Sequence, residues 1–430
     1  MSGTVVGFAG MTHLGLNSAA ACAARGFDTL CFDADAALIT QLEAGILPVV
    51  EPELQETLQQ HSNRLSYSAK HSDLSRCDVV YIASDVPTDD QGQSDLSGIR
   101  ALINAVAAAL SPTATLVILC QVPPGFTRSL AFDTGRLYYQ VETLIFGRAI
   151  ERAMHPERTI VGCADPVRPL PKHYGAFLSA FGCPILPMRY ESAELAKISI
   201  NCCLVASVTV ANTLAELSEQ IGADWNEIVP ALKLDRRIGQ YSYLAPGLGL
   251  AGGNLERDLA TVLQLSRETG TEAGLVQAFV RNSQHRRHWV LRTLHTEILA
   301  SKPDAVIAVL GLAYKENTHS TKNSPSLALI ASLGPWRLRV FDPLVKSKVV
   351  SHGDCVGCTS ALEAVSGADV VAIMTPWPEF RKIEPADIAS RLAGKKIIDP
   401  YCVLDGMRVR QAGLEYFTLG MPSLRGTRGT

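Results

Sequence analysis

The stretch that decides the fold is Thr4-Val5-Val6-Gly7-Phe8-Ala9-Gly10-Met11-Thr12-His13-Leu14-Gly15. A short apolar run ends in glycine, as a buried strand does before a tight turn. An alanine-rich helical pattern then runs from Leu14 to Arg25 and stops at Gly26. Next, Thr29-Leu30-Cys31-Phe32-Asp33 reads as a second strand ending in an acid. Strand, glycine turn, helix and acid-tipped strand form the βαβ unit of a dinucleotide-binding fold. Against the pattern GxGxxG, Gly7 stands first, Ala9 second and Thr12 third, with Gly10 and Met11 inside the loop. The helix that follows offers free N–H groups and a positive dipole end to a pyrophosphate. Asp33 lies 26 residues beyond Gly7, where a carboxylate accepts from the adenosine ribose and repels the extra phosphate of NADP. NAD is the expected cofactor. The plainer alternative is a tight turn in an α/β protein that binds none.

Outward from this unit, apolar runs at 79–84, 115–120 and 159–162 alternate with helical stretches, which predicts a mostly parallel sheet covered on both faces. From Glu191 to about Gln220 no strong breaker occurs, so one helix of about 30 residues, some 45 Å long, is expected. The α/β pattern restarts with strands at 306–310, 338–342 and 369–375. Cys77-Asp78-Val79-Val80-Tyr81-Ile82 echoes Ala368-Asp369-Val370-Val371-Ala372-Ile373. The expected architecture is therefore α/β: two Rossmann-like doubly wound domains joined by a long central helix and a helical dimerisation domain. Its boundaries fall at 1–190, 191–298 and 299–430. The second sheet shows no glycine fingerprint after its first strand and is expected to bind something other than the dinucleotide.

Composition narrows the class. The 430 residues carry 39 Lys and Arg against 42 Asp and Glu, a net charge of −3, which gives no reason to expect nucleic acid or an acidic membrane as partner. With 47% hydrophobic and 19% charged residues the chain suits a large core. The apolar stretch near 101–119 is broken by Asn104 and Ser111-Pro112, so neither a membrane span nor a signal peptide is expected, and the cytoplasm is the expected location. Eleven scattered cysteines form no disulfide framework, and the lone Cys355/Cys358 pair lacks a second pair at zinc-site spacing. No metal is expected.

Further motifs run the length of the chain: Glu43-Ala44-Gly45-Ile46-Leu47-Pro48 with Glu51-Pro52; Val122-Pro123-Pro124-Gly125; Glu191-Ser192-Ala193-Glu194-Leu195-Ala196-Lys197 with Asn201; Arg237-Ile238-Gly239; and 246–253, the glycine-rich Pro-Gly-Leu-Gly-Leu-Ala-Gly-Gly. They continue with Leu310-Gly311-Leu312-Ala313-Tyr314-Lys315, Asn317-Thr318, Ser324-Pro325, Asp342-Pro343 and 375–380. In these the sequence resembles the UDP-glucose/GDP-mannose dehydrogenase family, NAD-dependent enzymes that oxidise the C6 alcohol of a nucleotide sugar to a carboxylate. The resemblance implies a homodimer built around the long helix, a nucleotide-sugar substrate (a UDP-sugar first) and a setting in polysaccharide precursor synthesis. It also implies cofactor contacts from Pro87, Gln121 and Lys322. Substrate contacts are implied for Arg237, Tyr243, Gly247, Gly249, Gly252, Arg257, Tyr314 and Lys315.

The departures from the family concern chemistry. Where the family has a cysteine that attacks the aldehyde intermediate, this chain has Asn254, and a carboxamide cannot form a thioester. Arg257 replaces a lysine, Cys120-Gln121 replace Ser-Thr, Phe146 replaces one of two glutamates, and Lys322 and Tyr401 replace arginines. What remains is Lys197, Asn201, Asp258 and Glu142. Lys197 and Asn201 are four apart on the expected helix and share a face, so they can hold a water or stabilise an alkoxide. Their plain alternatives are a solvated lysine and an interhelical amide. Cys120 is either a displaced nucleophile or a small buried residue. Three readings stand: an NAD-dependent oxidoreductase limited to a two-electron step, a silent nucleotide-sugar-binding relative, and a redox-neutral epimerase that recycles its NAD.

Overall fold

A computed structural model describes residues 3–89, 94–251 and 254–425. The chain divides into two compact units, Met1–Ile200 and Asn201–Thr430. Unit one holds eight strands: β1 Val5–Ala9, β2 Asp28–Phe32, β3 Leu65–Ser68, β4 Val79–Ile82, β5 Thr115–Ile118, β6 Leu137–Gln140, β7 Thr159–Cys163 and β8 Ile185–Arg189. Their order is β3-β2-β1-β4-β5-β6-β7-β8, parallel except for the β6–β7 pair. Strand order reverses at β1, between β2 and β4, which is where such sheets open a ligand crevice at their carboxyl ends. Unit two holds a helical layer and six strands: β9 Val306–Leu310, β10 Arg337–Phe341, β11 Cys355–Gly357, β12 Val370–Ile373, β13 Lys396–Ile398 and β14 Glu415–Phe417. Their order is β11-β10-β9-β12-β13-β14, all parallel. β4, β5 and β12 are fully buried, as expected of parallel strands covered on both faces.

The two sheets repeat one construction at the level of single hydrogen bonds. Gly10 follows β1 with φ 103°, and Gly311 follows β9 with φ 96°. Gly10 N donates to Phe32 O at 2.9 Å, and Gly311 N to Phe341 O at 2.8 Å. A Cβ on Gly10 would lie 2.7 Å from Ser84 Cβ, and one on Gly311 would lie 2.5 Å from Thr375 Cβ. The sequence echo has a physical reason too. Asp78 accepts the N–H of Val5, and Asp369 that of Val306, both at 2.9 Å, so each carboxylate ties off the first residue of the sheet's first strand. The second sheet therefore has a turn glycine without the further glycines of a fingerprint. It differs because a loop, rather than a helix, follows the turn, up to the helix Pro325–Ser332.

The long helix spans Tyr190–Ile221, 32 residues. Its buried positions, among them Tyr190, Glu194, Ile198, Asn201, Val205, Asn212, Ala215 and Ser218, recur at three and four residues. By length and mean hydropathy it is the one helix among the described residues that could cross a membrane. Yet Glu194, Asn201, Asn212 and Ser218 are buried polar groups satisfied within the protein.

Candidate functional site

The cofactor turn sits where β1 meets the helix His13–Ala24. Its register differs from the expected one. Gly7 is inside β1, paired with Leu30 and Val80, and a Cβ there would meet Cys77 Sγ at 3.0 Å. Gly7 is a packing glycine, and Ala9 is the fully buried last residue of the strand. Both are strand residues, so the turn itself begins one residue after Ala9. The turn glycine is Gly10. Gly15 is the third of the pattern, because a Cβ on it would fall 1.9 Å from Gly10 O. Thr12 then holds the second position, and its hydroxyl donates to Ala83 O at 3.2 Å. Counted from Gly10, Asp33 comes 23 residues later, close to the spacing expected for a ribose-binding acid. Its Oδ2 accepts from Met11 N at 2.8 Å and its Oδ1 from Asp35 N at 3.0 Å.

These residues fit a dinucleotide. Gly10, at φ 103°, lets the turn pass against Ser84, where a Cβ would collide. The N-cap residue Thr12 makes no side-chain cap of the twelve-residue helix, which leaves its first N–H groups and its dipole to interact with an anion. Asp33 retains lone pairs for hydroxyl donors. In the second sheet the equivalent Asp342 is saturated: it accepts from the backbone of Leu312, Ala313, Leu344 and Val345 and from the Trp377 indole. Saturation of that acid explains why a fold built alike would not read a ribose the same way. Pro87 lies exposed after β4, and Gln121 is half-buried three residues beyond β5.

Two polar pairs hang from the long helix. Within unit one, Lys197 Nζ lies 3.3 Å from Glu142 Oε2, with side chains only 13% and 18% exposed. Glu142 also accepts from Leu144 N, which fixes its rotamer. Within unit two, Asn201 Nδ2 donates to Asp258 Oδ2 at 2.5 Å, and Asp258 is 1% exposed. The Arg257 guanidinium lies 3.9 Å from the other Asp258 oxygen. Both pairs come one helical turn apart, at Lys197 and Asn201, as their spacing predicts. A half-buried ammonium–carboxylate pair can donate to a developing oxyanion and accept a proton; the Asn–Asp pair orients an amide.

Asn254 is the exposed first residue of the helix Asn254–Thr269. Ahead of it, Gly247 N donates to Asn212 Oδ1 and Leu250 N to Ser283 Oγ, both at 2.8 Å. Gly249, at φ 83°, packs so closely on Ser283 that a Cβ would sit 2.4 Å from its carbonyl oxygen. Gly252, an expected substrate contact, lies outside the described residues. Arg237 is 89% exposed and held by Asp235 at 2.6 Å; Tyr243 is 47% exposed nearby in sequence. Tyr314, Lys315 and Lys322 are half-buried in the loop after β9, with Lys315 Nζ 5.7 Å from the Tyr314 ring centre. Cys120 is 1% exposed in the core with Ile82 and Val122, the environment of a packing thiol.

Sequence reasoning gave no role to two buried carboxylates. Glu51 takes His13 Nε2 at 2.9 Å and Ala149 N at 2.8 Å, while Phe146 stacks on His13 at 4.0 Å. Burial pushes the Glu51 carboxyl up, but the bonds from His13, Ala149 and Gly147 outweigh it and hold the group below its ordinary range. Phe146 thus packs on the His13 ring. Glu194, fully buried, accepts from Gly125 N at 2.6 Å and Thr127 N at 2.8 Å. The only signal for either was its place in a motif.

Comparison with known proteins gives three consecutive matches. The NAD binding domain, central domain and UDP binding domain models of the UDP-glucose/GDP-mannose dehydrogenase family match residues 4–169, 191–284 and 308–406. UDP-glucose 6-dehydrogenase TuaD of Bacillus subtilis (strain 168) is 27% identical over 439 residues, spanning 97% of this chain and 93% of its own. A UDP-glucose dehydrogenase structure from the hyperthermophilic archaeon Pyrobaculum islandicum superposes with TM-score 0.84 at 25% identity, covering 97% of each chain. A UDP-D-ManNAc dehydrogenase from Pyrococcus horikoshii has the same fold, with TM-score 0.82 at 24% identity over 97% of this chain and 99% of that one.

Proposed function

Because this chain belongs to the UDP-glucose/GDP-mannose dehydrogenase family and is an NAD-dependent oxidoreductase, we propose that it oxidises one carbinol of a UDP-sugar and stops at the carbonyl. The reading of a limit rests on Asn254, a carboxamide at the start of the helix that follows the glycine-rich loop, at the position where the resemblance implies a nucleophilic thiol. Without sulfur, no covalent adduct holds the aldehyde for a second oxidation. Gly10, Thr12, Gly15 and Asp33 would hold NAD, which when bound supplies the two-electron acceptor. Lys197 donates to the carbinol oxygen as negative charge grows on it, and the Glu142 carboxylate takes the hydroxyl proton, directly or through a water. Asp258 fixes the orientation of the Asn201 amide. Arg257, Tyr314 and Lys315 supply donors and charge for the diphosphate, and Arg237, Tyr243, Gly247 and Gly249 shape the sugar end. The protein works in the cytoplasm as a homodimer, supported by the apolar stripe left exposed on the long helix.

Incubation with NAD and a panel of nucleotide sugars tests this reading, with NADH counted per sugar consumed and products weighed by mass spectrometry. One NADH per sugar and a carbonyl product are expected. Two NADH and a uronate would overturn the limit. Ligand binding without turnover would leave a silent relative, and an altered sugar without net NADH an epimerase.

A further inference from the structure

The loop from Gln121 to Thr127 reads Gln-Val-Pro-Pro-Gly-Phe-Thr and leaves β5 at the carboxyl edge of the cofactor sheet. Within itself it closes one turn, Phe126 N donating to Pro123 O at 3.1 Å. Pro123 and Pro124 have no N–H to donate, and Gly125 sits at φ 92° with open space around it, so the glycine serves backbone conformation alone. Its anchor comes from the long helix. Glu194 takes the N–H of Gly125 on one carboxylate oxygen and that of Thr127 on the other. One turn earlier on the helix, Glu191 grips Arg128 in a two-pronged ion pair. One turn later stands Lys197, paired with Glu142. Residues 191, 194 and 197 thus form a row at three-residue spacing, about 4.5 Å of rise per step.

A fully buried carboxylate is costly unless it is satisfied. Burial pushes the Glu194 carboxyl above its ordinary range, while the bonds from Thr127 and Gly125 pull the other way. Packing alone would be better served by leucine. The position instead holds a charged group whose two acceptors meet two loop amides.

We propose that Glu194 is a positioning residue, which sets the Gln121–Thr127 loop, and with it the Gln121 side chain, at a fixed distance from Lys197. Its two carboxylate oxygens are taken up by the loop amides of Gly125 and Thr127. The proposal rests on the reading that Lys197 addresses the carbinol oxygen and that Gln121 is a cofactor contact. A misplacement of about 1 Å at a reacting centre can cost on the order of 100-fold in rate.

Two variants approach the clamp from its two ends. Glu194→Gln keeps the volume but must turn an NH₂ toward one of two N–H donors. Gly125→Ala strains the positive-φ residue and leaves the helix untouched. Amide exchange is read first, without any ligand: Gly125 to Ser129 should exchange at least about tenfold faster in both variants. Single-turnover oxidation and NAD affinity are then measured in a double-mutant cycle of Glu194→Gln with Gln121→Ala. If Glu194 acts through the loop, Glu194→Gln slows the step about tenfold in the parent and less than twofold once Gln121 is gone. An equal factor in both backgrounds, or unchanged exchange at Gly125 to Ser129, overturns the proposal. Should the parent oxidise no nucleotide sugar, the functional reading fails separately, and the same non-additivity is then required of the NAD dissociation constant.

Discussion

At residue 254 the proposed stop at the carbonyl depends on a single side chain, and that dependence can be tested by substitution. A thiol placed by Asn254→Cys would sit at the exposed first residue of a sixteen-residue helix, where the dipole lowers a cysteine's pKa and favours the thiolate. The expected outcome is a rise from one NADH per sugar toward two, with uronate appearing among the products; an unchanged ratio of one would mean that the side chain at 254 does not set the proposed limit. Asp399 makes a different residue-scale prediction. It is fully buried at the end of β13 and accepts from Leu404 N at 2.9 Å and Tyr416 Oη at 2.7 Å, yet burial pushes its carboxyl up to about 6. A folded-state pKa raised above the unfolded value near 4 gives stability that is present in full below pH 4 and is lost as pH rises through 6. Against Asp399→Asn, the parent should therefore gain about 2 kcal/mol between pH 7 and pH 4. Urea melts of both proteins across that window check it, and parallel pH profiles would remove the assignment. Glu51 and Glu216, held below their ordinary range, act in the opposite sense and are common to both proteins, so the comparison cancels them.

At the scale of single elements, the strand–turn–helix at residues 5–24 shows what a sequence discloses and what it withholds. That a βαβ unit opens the chain and ends in Asp33 is legible, because apolar runs and terminators carry it. The register of the turn is not. Gly7 and Gly10 both follow apolar residues, and only the backbone shows that the first is a strand residue and the second stands at φ 103°. Gly15 should be irreplaceable for the same reason. Its missing Cβ makes room for Gly10 O, so Gly15→Ala forces helix and strand apart and is expected to cost about 3 kcal/mol and abolish NAD binding. Gly98 is the control: it lies in the helix Ser97–Ala109 with nothing near its absent Cβ, and Gly98→Ala should stabilise by about 0.4–1 kcal/mol. Thermal melts with and without NAD measure both, and tolerance of Gly15→Ala would show that the close approach is not needed. The Glu194 clamp was hidden for another cause. A carboxylate that satisfies backbone amides far along the chain leaves no periodicity, and only the fold brings 194 to 125 and 127. The echo at 77–82 and 368–373 was the reverse case, visible as text but with its reason, the capped N–H groups of Val5 and Val306, visible only in three dimensions.

For the whole molecule, the long helix poses the remaining question, because its burial runs down one side only. Val210, Leu214, Leu217 and Ile221 are 53%, 40%, 51% and 67% exposed and recur at spacings of four, three and four. That is the seam of a helix pair, and an apolar seam open to water should be covered. A bilayer is a poor cover. Glu216 and Glu219 stand on the same turns, and Glu216 is engaged by His285 at 2.8 Å and by the fully buried Arg286 at 3.0 Å, contacts that hold this stretch of helix in its own unit. A second copy of the chain offers an identical stripe, and two-fold pairing brings like faces together. Leu214→Glu with Leu217→Glu should then convert a dimer into monomers at micromolar concentration, seen as a halved mass in sedimentation equilibrium. The melting temperature of the parent should rise with protein concentration, and that of the variant should not. A parent that sediments as a monomer, or a variant that stays paired, would place the seam outside the assembly. If the dimer dissociates and oxidation per folded chain survives, each chain carries a complete site. If oxidation falls in step with dissociation, the exposed Arg237 and Tyr243, which lie beyond the next helix, are the first groups to examine as contributions from one protomer to its partner.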